Sequence, residues 1–415
     1  MPSYQTMRSK LIASKEAIDN FQFVTINGEA IFNEKERVVR IARAYSQVVK
    51  SAIRPLFDGK GIEELTKEFY DVLPNYVYLE TALKQAKTII NVLLDREDEK
   101  GEIIHVRVRK FWFASRGNKS DEGNRNIKFH VLEDHVEVRV KDPWGKWVRG
   151  NAYFGEEHLP LLRELEELSQ RKEEGYGAVV SFKEKPMIHL QVPLWLYLKH
   201  LSSPKLAGYG SVAGFDLNSD RLNVVVVNKD GTVVTTKTFW YPDVTRPGFP
   251  KEKAKALRSN ALSDTLEFIS RIGVDYVVFE DLFLVKKREF TKSRSGDRKI
   301  SRFAKKQLLI HGVIKSLRLG FNVVLVNPKG TTNSEEHDKV MREKGFDRHT
   351  ASAYLIALRG LELSNDIKRY ELYGLSETAD NGSEGHFPEI QSPLSIDNLT
   401  ELRVEKTNHV YKLNP

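Results

Sequence analysis

The sequence predicts a multidomain α/β protein in which a helical region and a β-rich module precede a layered α/β domain. Three observations carry this. Apolar residues recur with a helical period between Asn33 and Leu94. Short alternating runs dominate residues 98–205. From Gly208 on, three strands are followed by helix, strand, helix, strand and helix, the order of an α/β layer. At 415 residues the chain is long enough for two or three domains.

Residues 1–32 read as a strand and a short helix that begin the β-rich module. Residues 33–97 form the helical region. Asn33 caps a helix whose stripe is Val38, Val39, Ile41, Ala42, Tyr45, Val48 and Val49. Gly59 and Gly61 break it, and Pro74 suits a later helix start. Residues 98–205 are β-rich. Ile103–Phe113 alternates, Ile127–Leu132 and Val136–Val140 make a hairpin, and Lys141–Gly145 is a turn. His158–Gln170 is helical, and Ala178–Phe182 and Met187–Pro193 are strands. In 206–365 the strands are Val212–Asp216, Val224–Asn228, Val233–Phe239, Val274–Phe279 and Asn322–Val326. The helices are Lys253–Ile272, Phe303–Leu319 and Thr350–Leu363. Residues 366–415 are polar and read as a flexible tail.

Sixty-five basic and 57 acidic side chains leave a formal charge of +8, with a pI near 9.2. This permits a nucleic-acid partner without requiring one. There is no cysteine. That excludes disulfides, cysteine nucleophiles, iron–sulfur sites and thiolate zinc sites. The first twenty residues lack the apolar run of a signal peptide, and no stretch is long enough to span a membrane.

Three acids occupy comparable places. Asp216 and Glu280 end strands, and Asp347 precedes the last helix. Strand ends and helix starts on one edge of an α/β sheet converge. Three carboxylates gathered there suit two Mg²⁺ ions, which take oxygen ligands and assist phosphodiester cleavage. Each acid alone has a plainer reading: Asp216 as a turn residue, Glu280-Asp281 as surface charge, Asp347 as an N-cap.

Gly214-Phe215-Asp216-Leu217-Asn218, Val278-Phe279-Glu280-Asp281-Leu282 and the run Asp347–Leu358 resemble the three RuvC motifs of transposon-encoded TnpB nucleases, small relatives of type V CRISPR effectors. The text around Ile300–Phe303, His311-Gly312 and Gly320–Thr332 is similar to the family between its second and third motifs. The resemblance implies an RNase H-like (RuvC) nuclease domain over 206–365. It implies a helical recognition region and a β-rich wedge-like module before it. Asp216, Glu280 and Asp347 would be the catalytic, metal-binding residues, using two Mg²⁺ ions with Mn²⁺ able to substitute. Two departures stand out. The family's four-cysteine zinc finger is replaced by a short insert at 330–346, so no structural zinc is expected. The usual D-x-D-x-N of the third motif carries His349 and Ala351 in place of the second acid and the Asn. His349 reads either as an accessory group touching a phosphate or metal-bound water, or as a helix-start histidine facing solvent.

Residues 286–306 hold ten basic and two acidic side chains, a surplus equal to the net charge of the whole chain. Lys286, Lys287, Arg288, Lys292, Arg294, Arg298, Lys299 and Arg302 read as a nucleic-acid-binding loop beside Glu280, or as a solvated charge run. Arg107, Arg109 and Trp112 suit an RNA or heteroduplex contact, though alternating core aromatics explain Phe111 and Phe113 equally well. Thr81, Lys84, Gln85 and Thr88 share one helix face. The resemblance gives that region a part in reading the DNA motif beside the target; a polar helix face is the plain alternative.

The function expected is RNA-guided cleavage of target double-stranded DNA next to a short motif, on behalf of a transposable element. The guide RNA would come from the element's own locus. The alternatives are an RNA-independent RNase H-fold transposase or resolvase, and a guided DNA-binding repressor that no longer cuts. A prokaryotic cytoplasm, in association with the nucleoid and not with a membrane, is the expected location.

Overall fold

The computed structural model describes residues 11–94, 111–182, 184–204, 209–246, 248–284, 302–332 and 334–372. They divide into two compact units, with breaks after Gln22 and after Leu196. The protein is a mixed α/β chain. Among the described residues, no helix is long and apolar enough to cross a membrane.

In chain order, β1 (Leu11–Ile12) and α1 (Lys15–Asn20) come first. Then follow β2 (Phe23–Phe32), α2 (Lys35–Phe57), α3 (Ile62–Phe69), α4 (Tyr76–Leu94), β3 (Phe111–Ser115), β4 (Gly117–Asn118) and β5 (Gly123–Asn124). Next are β6 (Ile127–Val131), β7 (Val136–Lys141), β8 (Trp147–Tyr153), α5 (Leu159–Gln170), β9 (Gly177–Phe182), β10 (Pro186–Pro193) and α6 (Leu194–Leu201). The last stretch has β11 (Ser211–Leu217), β12 (Arg221–Val227), β13 (Val233–Trp240), α7 (Lys251–Ile272), β14 (Val274–Glu280), α8 (Arg302–Arg318), β15 (Asn322–Val326), α9 (Glu335–Lys344) and α10 (Arg348–Leu372).

The unit from Phe23 to Leu196 is built on a seven-stranded sheet of order β3-β9-β10-β2-β8-β7-β6. Every pairing in it is antiparallel. Helix α2 packs on α4 and on β3. Tyr45 of α2 lies 5.3 Å from Trp112, and Tyr78 of α4 lies 5.5 Å from Phe113. Strand β8 escaped the sequence reading for a physical reason. Its inward residues are Val148, Gly150 and Ala152, while Trp147 and Tyr153 face outward. Bulk therefore points away from the core, the reverse of the pattern that marks a strand. Helix α6 was also unread, because its apolar run has no polar face to reveal a period.

The other unit carries a six-stranded sheet of order β1-β15-β14-β11-β12-β13. Strands β11, β12 and β13 are a consecutive antiparallel meander. Strands β14 and β15 then join in parallel on the far side of β11. Of the stretch 1–32 expected to begin the β-rich module, residues 11–22 belong here, while Phe23–Phe32 is a strand of the seven-stranded sheet. Leu11 and Ile12 pair in parallel with Val323 and Val324. The buried Asp281 carboxylate accepts the Ser14 amide at 3.2 Å and the Phe283 amide at 3.0 Å, so Asp281 is not surface charge.

Helix α10 lies on the face that presents Val212, Val225, Val278 and Val324. Its approach is close. A Cβ on Gly214 would run into the main chain of Ala353 and Ala357, and one on Gly360 into Val278. Glycine at both contacts lets the helix rest directly on β11 and β14. The helix continues to Leu372, past the tail start expected at 366. Polar composition misled there, because Glu, Lys and Arg are good helix formers. The insert at 330–346 holds α9, capped by Ser334, whose hydroxyl accepts the His337 amide at 3.1 Å.

Candidate active site

Side chains two apart on a strand share a face. Asp216 therefore shares the α10 face with Val212, and Glu280 shares it with Val278. Their strands are neighbours, with Phe215 paired to Phe279. Asn223 is the cross-strand partner of Asp216, and Thr238 is the partner of Asn223. The Asn223 amide donates to the Thr238 hydroxyl at 2.8 Å and reaches Thr350 at 3.4 Å. A polar row thus crosses four strands: Glu280, Asp216, Asn223, Thr238. It runs under the N-terminus of α10.

That N-terminus is capped by Asp347. One carboxylate oxygen accepts the amides of His349 at 2.9 Å and Thr350 at 3.3 Å, and the other accepts the Thr350 hydroxyl. The turn also aims His349 at the row. Its Nδ1 lies 2.9 Å from Asp216 Oδ2, the same oxygen that accepts the Asn218 amide at 2.6 Å. The Asn218 amide nitrogen also lies 3.1 Å from that Nδ1, so the three side chains form one polar cluster. His349 does not face solvent as a bare helix-start residue.

Glu280 accepts the hydroxyl of the fully buried Thr331. Arg359 of α10 holds the loop carrying Thr331, donating to the carbonyls of Asn327 at 2.8 Å and Lys329 at 2.7 Å. Burial pushes the Glu280 carboxyl above the ordinary range, and the Asp216 charge adds to this; the Thr331 hydroxyl, Lys305 and Arg359 pull the other way. For Asp347, burial works upward. It is outweighed by the Thr350 hydroxyl, the two amides and His349, which hold the group below the usual range.

Asp216 and Glu280 are therefore like charges forced together on one sheet face, a donor set that fits a hard divalent cation. Among the described residues, no three of His, Cys, Asp and Glu gather closely enough to hold a metal ion. The exposed Asp347 carboxylate is turned to its own helix, so the expected trio is not assembled around a common point.

The remaining expected contacts fare differently. Lys286, Lys287, Arg288, Lys292, Arg294, Arg298, Lys299, Arg107 and Arg109 lie outside the described residues, and Arg302 is described only in its backbone. Trp112 is a core residue against Tyr45, which rules out the nucleic-acid contact expected of it. Thr81 is buried, with its hydroxyl 2.8 Å from the Ala114 carbonyl, so it cannot read DNA. Lys84 pairs with Glu80 at 3.0 Å, and the Thr88 hydroxyl donates to the Lys84 carbonyl at 3.0 Å; Gln85 is half-buried beside them. Asn218, Asn223, Thr331 and Arg359 were missed as site residues. Asn218 had a signal, standing two residues after Asp216 on the same face.

The chain matches the family described as SSO2105 N-terminal domain over residues 23–202. It is 80% identical over 369 residues to the SSO2105 protein of Saccharolobus solfataricus, which covers 89% of this chain and all of that one. It is 26% identical over 355 residues to a protein of Aeropyrum pernix, covering 79% of this chain and 91% of that one. Among solved structures, it is similar to T. thermophilus RuvC in complex with a Holliday junction substrate, at 18% identity and a TM-score of 0.27, over 38% of this chain and 96% of that one. It is also similar to a Cas12f1–sgRNA–target DNA complex, at 11% identity and a TM-score of 0.35, over 78% of this chain and 82% of that one.

Proposed function

The chain belongs to the family of the SSO2105 protein, and we propose that it is an RNA-guided DNA endonuclease of the TnpB type, hydrolysing phosphodiester bonds of target DNA. The observation that carries the hydrolytic part is the Asp216–Glu280 pair on adjacent parallel strands. Numbering the strands from β11, the sheet order is 3-2-1-4-5, with β1 added at the edge beyond strand 5. That is the order of an RNase H-like sheet, with the acids at the ends of its first and fourth strands. The guided part rests on the three sequence motifs and on the large unit that precedes them, which we assign to gripping guide RNA and target-adjacent DNA.

Asp216 and Glu280 would hold Mg²⁺, with Asp347 joining them if its carboxylate leaves the helix cap. When bound, the ion would supply charge neutralisation at the scissile phosphate and acidify the attacking water. The chain's own groups orient the ligands. Asn218 and His349 fix one oxygen of Asp216. Thr331 and Arg359 fix Glu280 and its loop. His349 would be the group to hold a proton for the leaving oxygen.

A second reading has a specific observation in its favour. The cap geometry of Asp347 and the histidine on Asp216 suit a guided DNA-binding repressor that no longer cuts. The test is to purify the protein expressed with its native flanking locus, sequence the bound RNA, and incubate with a matching plasmid and Mg²⁺. Cutting that disappears in Asp216→Ala supports the endonuclease. Bound RNA without cutting supports the repressor, and absence of bound RNA overturns both.

A further inference from the structure

One exposed group on the site's own sheet face has no part in the chemistry above. Trp240 ends β13 and is 60% exposed. It stands opposite Arg221 in the sheet, two residues beyond Thr238. Period two puts Trp240 and Arg221 on the same face as Thr238, Asn223 and Asp216. Two strand spacings and two residues separate Trp240 from Asp216, roughly 12 Å along the sheet.

The indole is fixed from beneath. The Arg221 guanidinium lies 4.0 Å from the ring centroid. Asp220 holds that guanidinium through two hydrogen bonds, at 3.2 Å and 2.9 Å. The turn carrying both is itself pinned. The Tyr241 hydroxyl lies 2.8 Å from the carbonyls of Asn218 and Arg221, and the Asn218 amide donates to the Arg221 carbonyl at 3.0 Å. A large ring thus sits on a cation and, among the described residues, keeps most of its surface uncovered.

We propose that Trp240, seated on Arg221, is a stacking platform for an unpaired nucleobase of the strand whose phosphate enters the Asp216–Glu280 site. Every base has a π face, so such a platform is indifferent to sequence. A base inside a duplex has both faces covered by its neighbours and cannot use it. The platform therefore selects single-stranded or locally opened nucleic acid, and it sets which phosphodiester reaches the carboxylates. This rests on the nuclease reading only for the last clause; the binding claim stands separately.

The experiment uses the full chain in EDTA, so that no cutting occurs, with a short fluorescein-labelled single-stranded DNA oligonucleotide and its blunt duplex. Trp240→Ala is expected to weaken single-strand binding by roughly 5- to 150-fold, the range of one base–aromatic stack, and to leave duplex binding unchanged. Trp240→Phe should retain most of the affinity. An oligonucleotide carrying 2-aminopurine should show quenching at one position that is lost in Trp240→Ala. Equal single-strand affinity and unchanged quenching in a Trp240→Ala protein with the wild-type circular dichroism spectrum overturn the proposal, as does a wild-type protein that binds no single strand. Should Trp240→Ala fail to fold, the quenching in wild type and Trp240→Phe decides. If binding behaves as expected while the protein purified with its RNA cuts no matching DNA in Mg²⁺ or Mn²⁺, the nuclease reading fails and the platform remains.

Discussion

Two buried polar sites, one in each unit, are completed to different degrees. In the seven-stranded unit, Asp142 is 1% exposed and fully engaged. It accepts the amides of Trp144 at 3.0 Å and Lys146 at 2.8 Å, and pairs with Arg37 at 3.0 Å. Asn124 accepts the amides of Asn126 and Ile127 and donates to the carbonyls of Ser115 and Tyr176. In the six-stranded unit, Glu280 is held above its ordinary pKa chiefly by burial and further by Asp216, and the buried Asn223 Oδ1 has no hydrogen-bond partner among the described residues. A completed network fixes a fold; an incomplete one at a sheet edge is available to a ligand.

Exchanging the roles of two aspartates gives the sharpest break in this comparison. Asp216→Asn is expected to lower metal-dependent cleavage by about a thousandfold or more while leaving the unfolding midpoint near wild type. Asp142→Ala should do the reverse. It strands two amides and an arginine, at a cost of about 2–4 kcal/mol, read by urea unfolding, with cleavage by the folded fraction retained. If Asp216→Asn proved as destabilising as Asp142→Ala, the carboxylate row would be structural.

Much of this contrast was legible in the sequence, and the rest was hidden for identifiable reasons. Asp216 and Glu280 stood out because each ends a short apolar run that reads as a buried strand. Asn223, Thr238 and Trp240 did not, because cross-strand register is a non-local property that no single window contains. Asp347 was ambiguous at the level of residue type: the same carboxylate suits a helix cap and a metal. Thr81 and Trp112 show the opposite error, where a side chain that suits nucleic acid equally suits a core.

Cation binding should separate the units next. A ligand that binds only the folded state stabilises it by about 2.7 kcal/mol at a hundred times its dissociation constant. Mg²⁺ is expected to raise the thermal midpoint of wild type, and to raise that of Asp142→Asn equally, but not that of Asp216→Asn. The acidity of Glu280 gives a smaller signal. Its folded pKa lies above the ordinary 4.5, so between those values the folded state binds more protons than the unfolded one. Stability is then lost as pH rises through that window. Relative to wild type, Glu280→Gln should become progressively more stable as pH rises from 4.5, measured by unfolding in metal-free buffer.

The smallest expected effect concerns Asp347, and it distinguishes cap from ligand. Its folded pKa lies below the ordinary 3.8, so its contribution is present above that value and disappears as pH falls through the folded pKa. Asp347→Ala removes the acceptor for two amides at the start of α10 and should cost about 1 kcal/mol at neutral pH. Asp347→Asn keeps an oxygen for those amides, and its stability should stay within a few tenths of a kcal/mol of wild type. Cleavage then decides between the roles. If Asp347→Asn cuts as wild type does, the residue only caps the helix, and the Asp216–Glu280 pair suffices. If it is folded and inactive, the carboxylate must leave the cap to act, and the charge on that oxygen matters more than its hydrogen bonds.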